Sequence, residues 1–508
     1  MERLQVSTAK WPRLDLKSPV FLTLLVVLAS LILYTMTLAP GLLWGGGDFA
    51  RLQTLAYTGD FTSDPTGHPL WIMVVHPFTW LPLGDVAYRA NLTSAIFSAL
   101  ALGLVFLIIR DLTGSATAGG LGTLALMLSH TFWTYAVMPK VYALNSLLLA
   151  SCLYLILRWG RRGETKALYA FAVLYGLSAM NHLLMLTAAP GFLVYLILKR
   201  RHLTSRQMLI TAGLYGLGLA PYVILTLVQA TSGQVTGAIV TFPQRLILLL
   251  LSPRGLILGL GVFLACLGYQ FFVTLGAGLI GLLRLIRLDR AVFWMLALIY
   301  VGDVAFVFAW IPSTPTLSAY VQNWHFYLPS YLIFAIWAGV GFAHLVHSKV
   351  RSRRWRFGLL VAVVIPPLLV YSLLPMVARE PLRRLNLRDL PGRDNATYLM
   401  SPWKQHETGA RVYGEQILSE LPADSVILAD YSIYWILVYL QTVEGRRPDV
   451  QIVKIPPLGH GRQVSAITGY TQAHPVFIPD TNRYYEMADI ESRFRVVQEG
   501  AVYHLLPQ

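Results

Sequence analysis

Asp48 follows three glycines, Gly45-Gly46-Gly47, just after the first long apolar run. A carboxylate carried on so open a segment can approach a bound molecule without crowding and take a proton from it as a general base. His68, His182 and His325 all fall at ends of apolar runs that topology assigns to one face. Imidazoles there can hydrogen-bond a phosphate or shuttle a proton. Lys140 is one of very few cations on that same face, and with Tyr142 beside it the pair has the chemistry to hold a lipid diphosphate. The histidine spacing is not that of a metal site, and no cofactor motif is present, so no cofactor is expected and a divalent cation stays open. Asp60 and Asp64 stand in Gly-Asp and Asp-Pro pairs and read as ordinary turn acids.

These residues need a scaffold, and the composition says which kind. The 508 residues are 56% hydrophobic and 13% charged, about half the charged share of a soluble domain. Mean hydropathy is +0.57. Since a bilayer takes roughly 20 apolar residues per helix, spans are expected near 20–39, 86–109, 115–137, 141–158, 166–181, 183–198, 208–229, 256–282, 291–311, 329–347 and 357–376. Cys152 and Cys266 lie inside these runs and behave as small hydrophobes.

The net charge of +15 does not imply nucleic acid, because threading the chain through these spans gathers the Lys/Arg clusters on one side. On that side lie 21 Lys/Arg, against five on the other within the membrane region. The positive-inside rule then puts the N-terminus in the cytosol of a plasma-membrane protein and Asp48 outside. Trp44, Trp71, Trp80, Trp133 and Trp324 fit an aromatic belt at the outer interface. The apolar stretch Leu70 to Leu83 fits a short helix along that interface. Asn91-Leu-Thr and Asn395-Ala-Thr match the glycosylation tripeptide.

Past residue 376 the composition turns polar, giving an expected division into a membrane region, 1–376, and a soluble α/β domain, 377–508. Within the latter the pattern predicts helices over Gly409–Leu421 and Tyr434–Gln441. Strands are expected at Ser425–Ala429, Val450–Ile455, Val476–Ile478, Phe494–Gln498 and Val502–Leu506, the last two forming a hairpin. The fold class is mainly α, a bundle of about 11 transmembrane helices with a small α/β domain.

Several segments together carry a resemblance. Pro40 to Trp44 with Asp48-Phe49, Gly67-His68-Pro69-Leu70, Gly84 to Leu92, Ser129 to Trp133, Val141 to Asn145, Asn181-His182-Leu183, Phe326 to Pro329 and Val443 to Val450 resemble a prokaryotic family of polytopic proteins. That family is related to the plexin- and MET-type protein O-mannosyltransferase and is similar to the GT-C glycosyltransferases. The resemblance implies a sugar donor on a polyprenyl phosphate, a protein or glycan acceptor, and an acid in the first external loop. It implies Asp48 as catalytic acid/base, with His68, Tyr142, Asn181 and His182 as substrate contacts. Three departures stand out. Gly45 replaces one of two acids of the family's Trp-Asp-x-Gly-Glu, Asp64 begins what is His-Pro-Pro-Gly there, and Lys140 replaces a Glu. The competing readings are a lipid or glycan flippase, for which Asp303 is the one marked intramembrane acid, and a non-catalytic lipid-binding assembly factor.

Overall fold

The computed structural model describes residues 18–45, 48–62, 68–231, 252–310, 323–348, 352–385, 387–459 and 461–508. Asp64, Gly67 and most of the 230–255 and 312–328 loops lie outside them. The first helix, α1 (Pro19–Met36), starts where Ser18 accepts from the Phe21 N–H and Pro19 fixes the first turn. Leu24, Leu25, Leu28 and Ile32 point outward, at least half exposed, an arrangement that only lipid can cover.

After α1 come α2 (Asp48–Thr58) and α3 (Pro69–Val75), with a 3-10 turn over His76–Trp80. The expected short helix within 70–83 is therefore present. Then follow α4 (Val86–Thr113), α5 (Ala116–Met127), α6 (His130–Ala136), α7 (Tyr142–Arg162), α8 (Thr165–Ser178), α9 (Ala189–Leu198) and α10 (Ser205–Thr231). The bundle is completed by α11 (Pro253–Phe271), α12 (Leu275–Leu288), α13 (Arg290–Trp310), α14 (Leu328–Ser348) and α15 (Arg353–Arg383). Among the described residues eight helical stretches are long and apolar enough to cross a bilayer, and Ala116–Met127 and Leu183–Leu198 are shorter apolar helices. The chain is an integral membrane protein.

Two expected spans, 115–137 and 256–282, are each broken, and the breaks meet. The first stops at Leu128-Ser129; the second stops at Phe272, a non-glycine residue held at φ 37°. Breaking a helix strands backbone donors that lipid cannot satisfy. Gln270 supplies the remedy: its Oε1 accepts from the Thr131 N–H at 2.8 Å, and its Nε2 donates to Thr131 Oγ1 at 2.9 Å. Elsewhere helices touch through small residues. A Cβ on Gly281 would lie 1.7 Å from the Trp337 carbonyl oxygen, so α12 and α14 pack backbone against backbone.

Two sequence expectations are corrected here, and a third residue is given its role. Trp44, Trp71, Trp133 and Trp324 do not face lipid headgroups; each is under a tenth exposed, and only Trp80 is mostly exposed. The Trp44 and Trp133 indoles instead tie loops together, donating to the Pro391 carbonyl at 2.9 Å and to Thr37 Oγ1 at 2.9 Å. Asn91 is no glycan acceptor: fully buried, it donates to the carbonyls of Ala39 and Gly41. Asp303 is also fully buried, and its carboxylate accepts from the Ser330 N–H at 3.1 Å and the Ser330 hydroxyl at 2.5 Å. It caps the first turn of α14.

The C-terminal part runs α16 (Asn395–Met400), α17 (Gly409–Glu420), β1 (Val426–Ala429), α18 (Tyr431–Thr442), β2 (Gln451–Lys454), α19 (Arg462–Thr471), β3 (Val476–Ile478), α20 (Met487–Glu491), β4 (Phe494–Glu499) and β5 (Val502–Pro507). The sheet order is β2-β1-β3-β5-β4. Wholly buried β1 pairs parallel with β2 and β3, as two α-crossovers require, and β4–β5 closes the edge as a hairpin. Sequence patterning misses α16, α19 and α20, and starts α18 three residues late.

This sheet unit is not loosely tethered. Leu42, Trp44, Ala50 and Ala87 share one apolar core with Ile427, Ile433, Leu437 and Tyr439. The Tyr439 hydroxyl accepts from the Ala87 N–H at 2.9 Å, and Arg411 bridges Asp85 at 2.5 Å and Glu444 at 2.7 Å. The loop that carries Asp48 is thereby held between the bundle and the sheet.

Candidate active site

Asp48 is the first residue of α2, where a carboxylate faces the positive end of the helix dipole. Its backbone N–H donates to the Gly45 carbonyl at 3.3 Å. Gly45 itself is required by packing: a Cβ there would lie 2.1 Å from the Phe49 ring. The acid expected at position 45 is thus not merely absent; Phe49 fills the space it would enter.

Three groups surround the Asp48 carboxylate. Lys140 Nζ donates to Oδ2 at 2.8 Å and lies 5.4 Å from the Phe49 ring centroid, stacked over it. The Arg51 guanidinium stands 4.0 Å from Oδ1. The Tyr431 hydroxyl donates to Oδ1 at 3.2 Å. Burial raises the Asp48 pKa, but Lys140, Arg51 and the Tyr431 bond more than reverse it, leaving the group below the usual carboxylate range. It is ionised at neutral pH, and it remains reachable, with 42% of its side chain exposed.

Tyr431 was invisible to sequence reasoning. It opens α18 in the sheet unit, a helix whose N-cap Asp430 accepts from the Ser432 N–H. Asp430 is in turn locked by both guanidinium nitrogens of Arg388, each at 2.7 Å, while Arg388 also reaches Asp480 at 2.8 Å. Lys454 lies over the Tyr431 ring at 5.7 Å. Only the Asp-Tyr pair just after a strand could have signalled it, and that pair reads equally well as an ordinary helix start.

Beside the ion pair is an aromatic wall. Tyr142, two residues past Lys140, has ring centroids of His325 at 4.7 Å, Tyr135 at 5.3 Å and His182 at 5.6 Å around it. His68 stacks on His182 at 5.2 Å. His182 Nδ1 accepts from the Leu184 N–H at 3.0 Å, which leaves Nε2 as the protonated nitrogen of a neutral ring. Burial, with the charge of Lys140 contributing, holds that ring well below its ordinary pKa, so neutral is its state.

Asn181 is fully buried; its amide donates to the Val141 carbonyl at 3.2 Å, and its backbone carbonyl is hydrogen-bonded to His68 Nδ1 at 2.7 Å. It braces the wall. Asp60 accepts from the Thr62 N–H and hydroxyl in a local turn. The structure therefore links Asp48, Lys140, Tyr142, His182, His325 and His68 in one cluster with Asn181 behind it. No group of three metal-ligating side chains occurs among the described residues. Chemically, the cluster offers an ionised carboxylate, a cation bound to it, and neutral N–H and O–H donors alongside.

Residues 62–205 match the family described as the protein O-mannosyl-transferase TMEM260 N-terminal domain. Over 202 residues the chain is 30% identical to the mouse (Mus musculus) protein O-mannosyl-transferase TMEM260, covering 38% of this chain and 28% of that protein. The chain thus spans under a third of this relative's length. In fold the chain is similar to the ArnT of Cupriavidus metallidurans: the crystal structure with undecaprenyl phosphate aligns over 95% of this chain and 97% of the other, with TM-score 0.63 and 13% identity. The apo structure of the same protein aligns over the same shares, with TM-score 0.58 and 14% identity. The chain shares the mainly helical, GT-C-like fold of that ArnT, as the sequence resemblance implied.

Proposed function

We propose that the chain is a membrane glycosyltransferase that moves a sugar from a polyprenyl-phosphate carrier to an acceptor hydroxyl on the Asp48 face of the bilayer. The observation that supports it most is the ionised, half-exposed Asp48 with Lys140 bound to it, flanked by neutral imidazole and phenol donors. Asp48 accepts the acceptor's proton as the hydroxyl attacks the anomeric carbon. The bond from that carbon to the carrier phosphate breaks, and charge develops on the phosphate oxygens. Lys140 and the N–H and O–H groups of His182, His325 and Tyr142 are the donors able to meet that charge, with His68 stacked behind.

The carrier tail stays in lipid between helices, which is why so many helices surround one loop. The solved relative holding undecaprenyl phosphate supports a carrier of that class, and the partial match to an O-mannosyl-transferase supports a protein hydroxyl as acceptor. Charge asymmetry supports a cytosolic N-terminus and an extracytoplasmic Asp48 in the plasma membrane. Taking residues 377–508 as the soluble unit, that unit is part of the site, because Tyr431 comes from it. Asp303, the main intramembrane acid, accepts from Ser330 at the start of α14, a packing role that lends the flippase alternative no support.

The test is to place purified protein in liposomes with labelled polyprenyl-phosphate hexoses and a hydroxyl-bearing peptide. Transfer of label with release of the lipid phosphate is expected; label that merely changes leaflet would establish a flippase instead.

A further inference from the structure

The opposite end of the bundle holds a second concave site. A cavity of about 330 Å³ opens beside α4 and α7, walled by Ile108, Leu112 and Leu157 and by the guanidinium groups of Arg158, Arg161 and Arg162. It is remote from Asp48. Along α7, Arg158 is sixteen residues beyond Tyr142, so at about 1.5 Å per residue the two are roughly 24 Å apart.

Each arginine is tied to a partner at this surface, where the Arg162 side chain remains half exposed. Asp111, at the floor, takes Arg162 on its carboxylate at 2.9 Å and Arg161 on its backbone carbonyl. Arg158 pairs with Glu164 through Nη2 at 2.6 Å and Nε at 3.1 Å and lies against the Tyr154 ring. A guanidinium has five N–H donors, and these bonds, with the 3.5 Å bond from Arg158 Nη1 to the Tyr154 hydroxyl, occupy between one and three on each. Topology alone needs only that positive charge be present on this side; it does not need three guanidinium groups fixed around one hollow with an aliphatic wall.

We infer that this cavity binds the phosphate of an anionic phospholipid headgroup, whose acyl chains extend from the cavity mouth into the surrounding bilayer. Guanidinium forks match phosphate oxygens, and the cavity lies at the ends of two membrane-spanning helices, the level at which lipid headgroups sit. The site is separate from the proposed transferase centre.

The full-length protein in detergent is titrated with phosphatidylglycerol, phosphatidylcholine or soluble glycerol phosphate, and retained ligand is read by native mass spectrometry. Phosphatidylglycerol is expected to bind best, with Arg161→Gln weakening it about fivefold, in line with roughly one charge's attraction at a membrane surface. Leu112→Trp, which fills the hollow and leaves every charge, should weaken it as well, providing a second reading should Arg161→Gln misfold. Lys199→Gln, a cation of the same face outside the cavity, should change nothing. Equal weakening by Lys199→Gln, or equal retention of phosphatidylcholine, would overturn the site. Binding of glycerol phosphate as tight as that of the lipid would overturn the lipid as its source.

Discussion

Lys140→Gln should move the acid limb of the pH–rate profile upward while leaving a usable plateau at higher pH. Lys140 Nζ lies 2.8 Å from Asp48 Oδ2. For unit charges about 4 Å apart, attraction is ~1 kcal/mol in water and ~4 kcal/mol at an effective dielectric near 20. With 42% of the Asp48 side chain exposed, the pair falls between those limits, at ~1.5–3 kcal/mol, or roughly ten- to hundredfold in the carboxylate's proton affinity. The direction follows from Asp48 being held below its ordinary value by Lys140, Arg51 and Tyr431 against the opposing effect of burial. A carboxylate with a depressed pKa stays basic until pH falls through that low value; without Lys140, the base is lost at a higher pH. The assay is kcat/KM between about pH 4 and 8 in liposomes, which reports groups of the free enzyme. An acid limb that stays in place while the plateau collapses would refute the tuning role and leave Lys140 acting on substrate phosphate alone.

Tyr431→Phe removes one hydrogen bond to Asp48 and should lower kcat about three- to tenfold, in line with ~0.5–1.5 kcal/mol per bond; unchanged kcat would detach the sheet unit from catalysis. Gly45→Ala forces a Cβ into the Phe49 ring and should cost ~1–3 kcal/mol of stability, seen as a lower melting temperature and relieved by adding Phe49→Ala. Arg388→Ala leaves Asp430, 5% exposed, without its bidentate partner; a loss of ~3–5 kcal/mol and faster proteolysis of the sheet unit are expected, with activity falling as Tyr431 loses its anchor.

The helical architecture was legible because lipid permits few solutions: long apolar runs had to be helices, and nine of the eleven expected spans recur at their places with small shifts. The other two, 115–137 and 256–282, are split at Leu128-Ser129 and at Phe272, and the signal was not local. Gln270 and Thr131 satisfy each other across 139 residues. Asp48 and the aromatic wall were legible as residue types near one face, but their pairing was not, since the Asp48–Lys140 contact spans 92 residues. The loss of an acid at Gly45 reads as a gap in the sequence; in the structure the Phe49 ring takes that space and Lys140 is bound to Asp48. Tyr431 was missed because a tyrosine at a helix start carries no chemical signature until the sheet unit docks on the first loop. The tryptophans misled for a related reason: an indole near a membrane boundary can serve the belt or bind a loop carbonyl, and composition cannot tell which.

The central claim is that Asp48 takes the acceptor's proton, and Asp48→Asn tests it with the least change in shape. The measurement is single-turnover sugar transfer by wild-type and variant protein in liposomes, with the melting temperature of each taken alongside. The amide keeps the size of the side chain and cannot accept the proton, so transfer should fall about 10²–10⁴-fold at an unchanged melting temperature. Transfer within threefold of wild type would contradict the account and remove Asp48 from the chemistry.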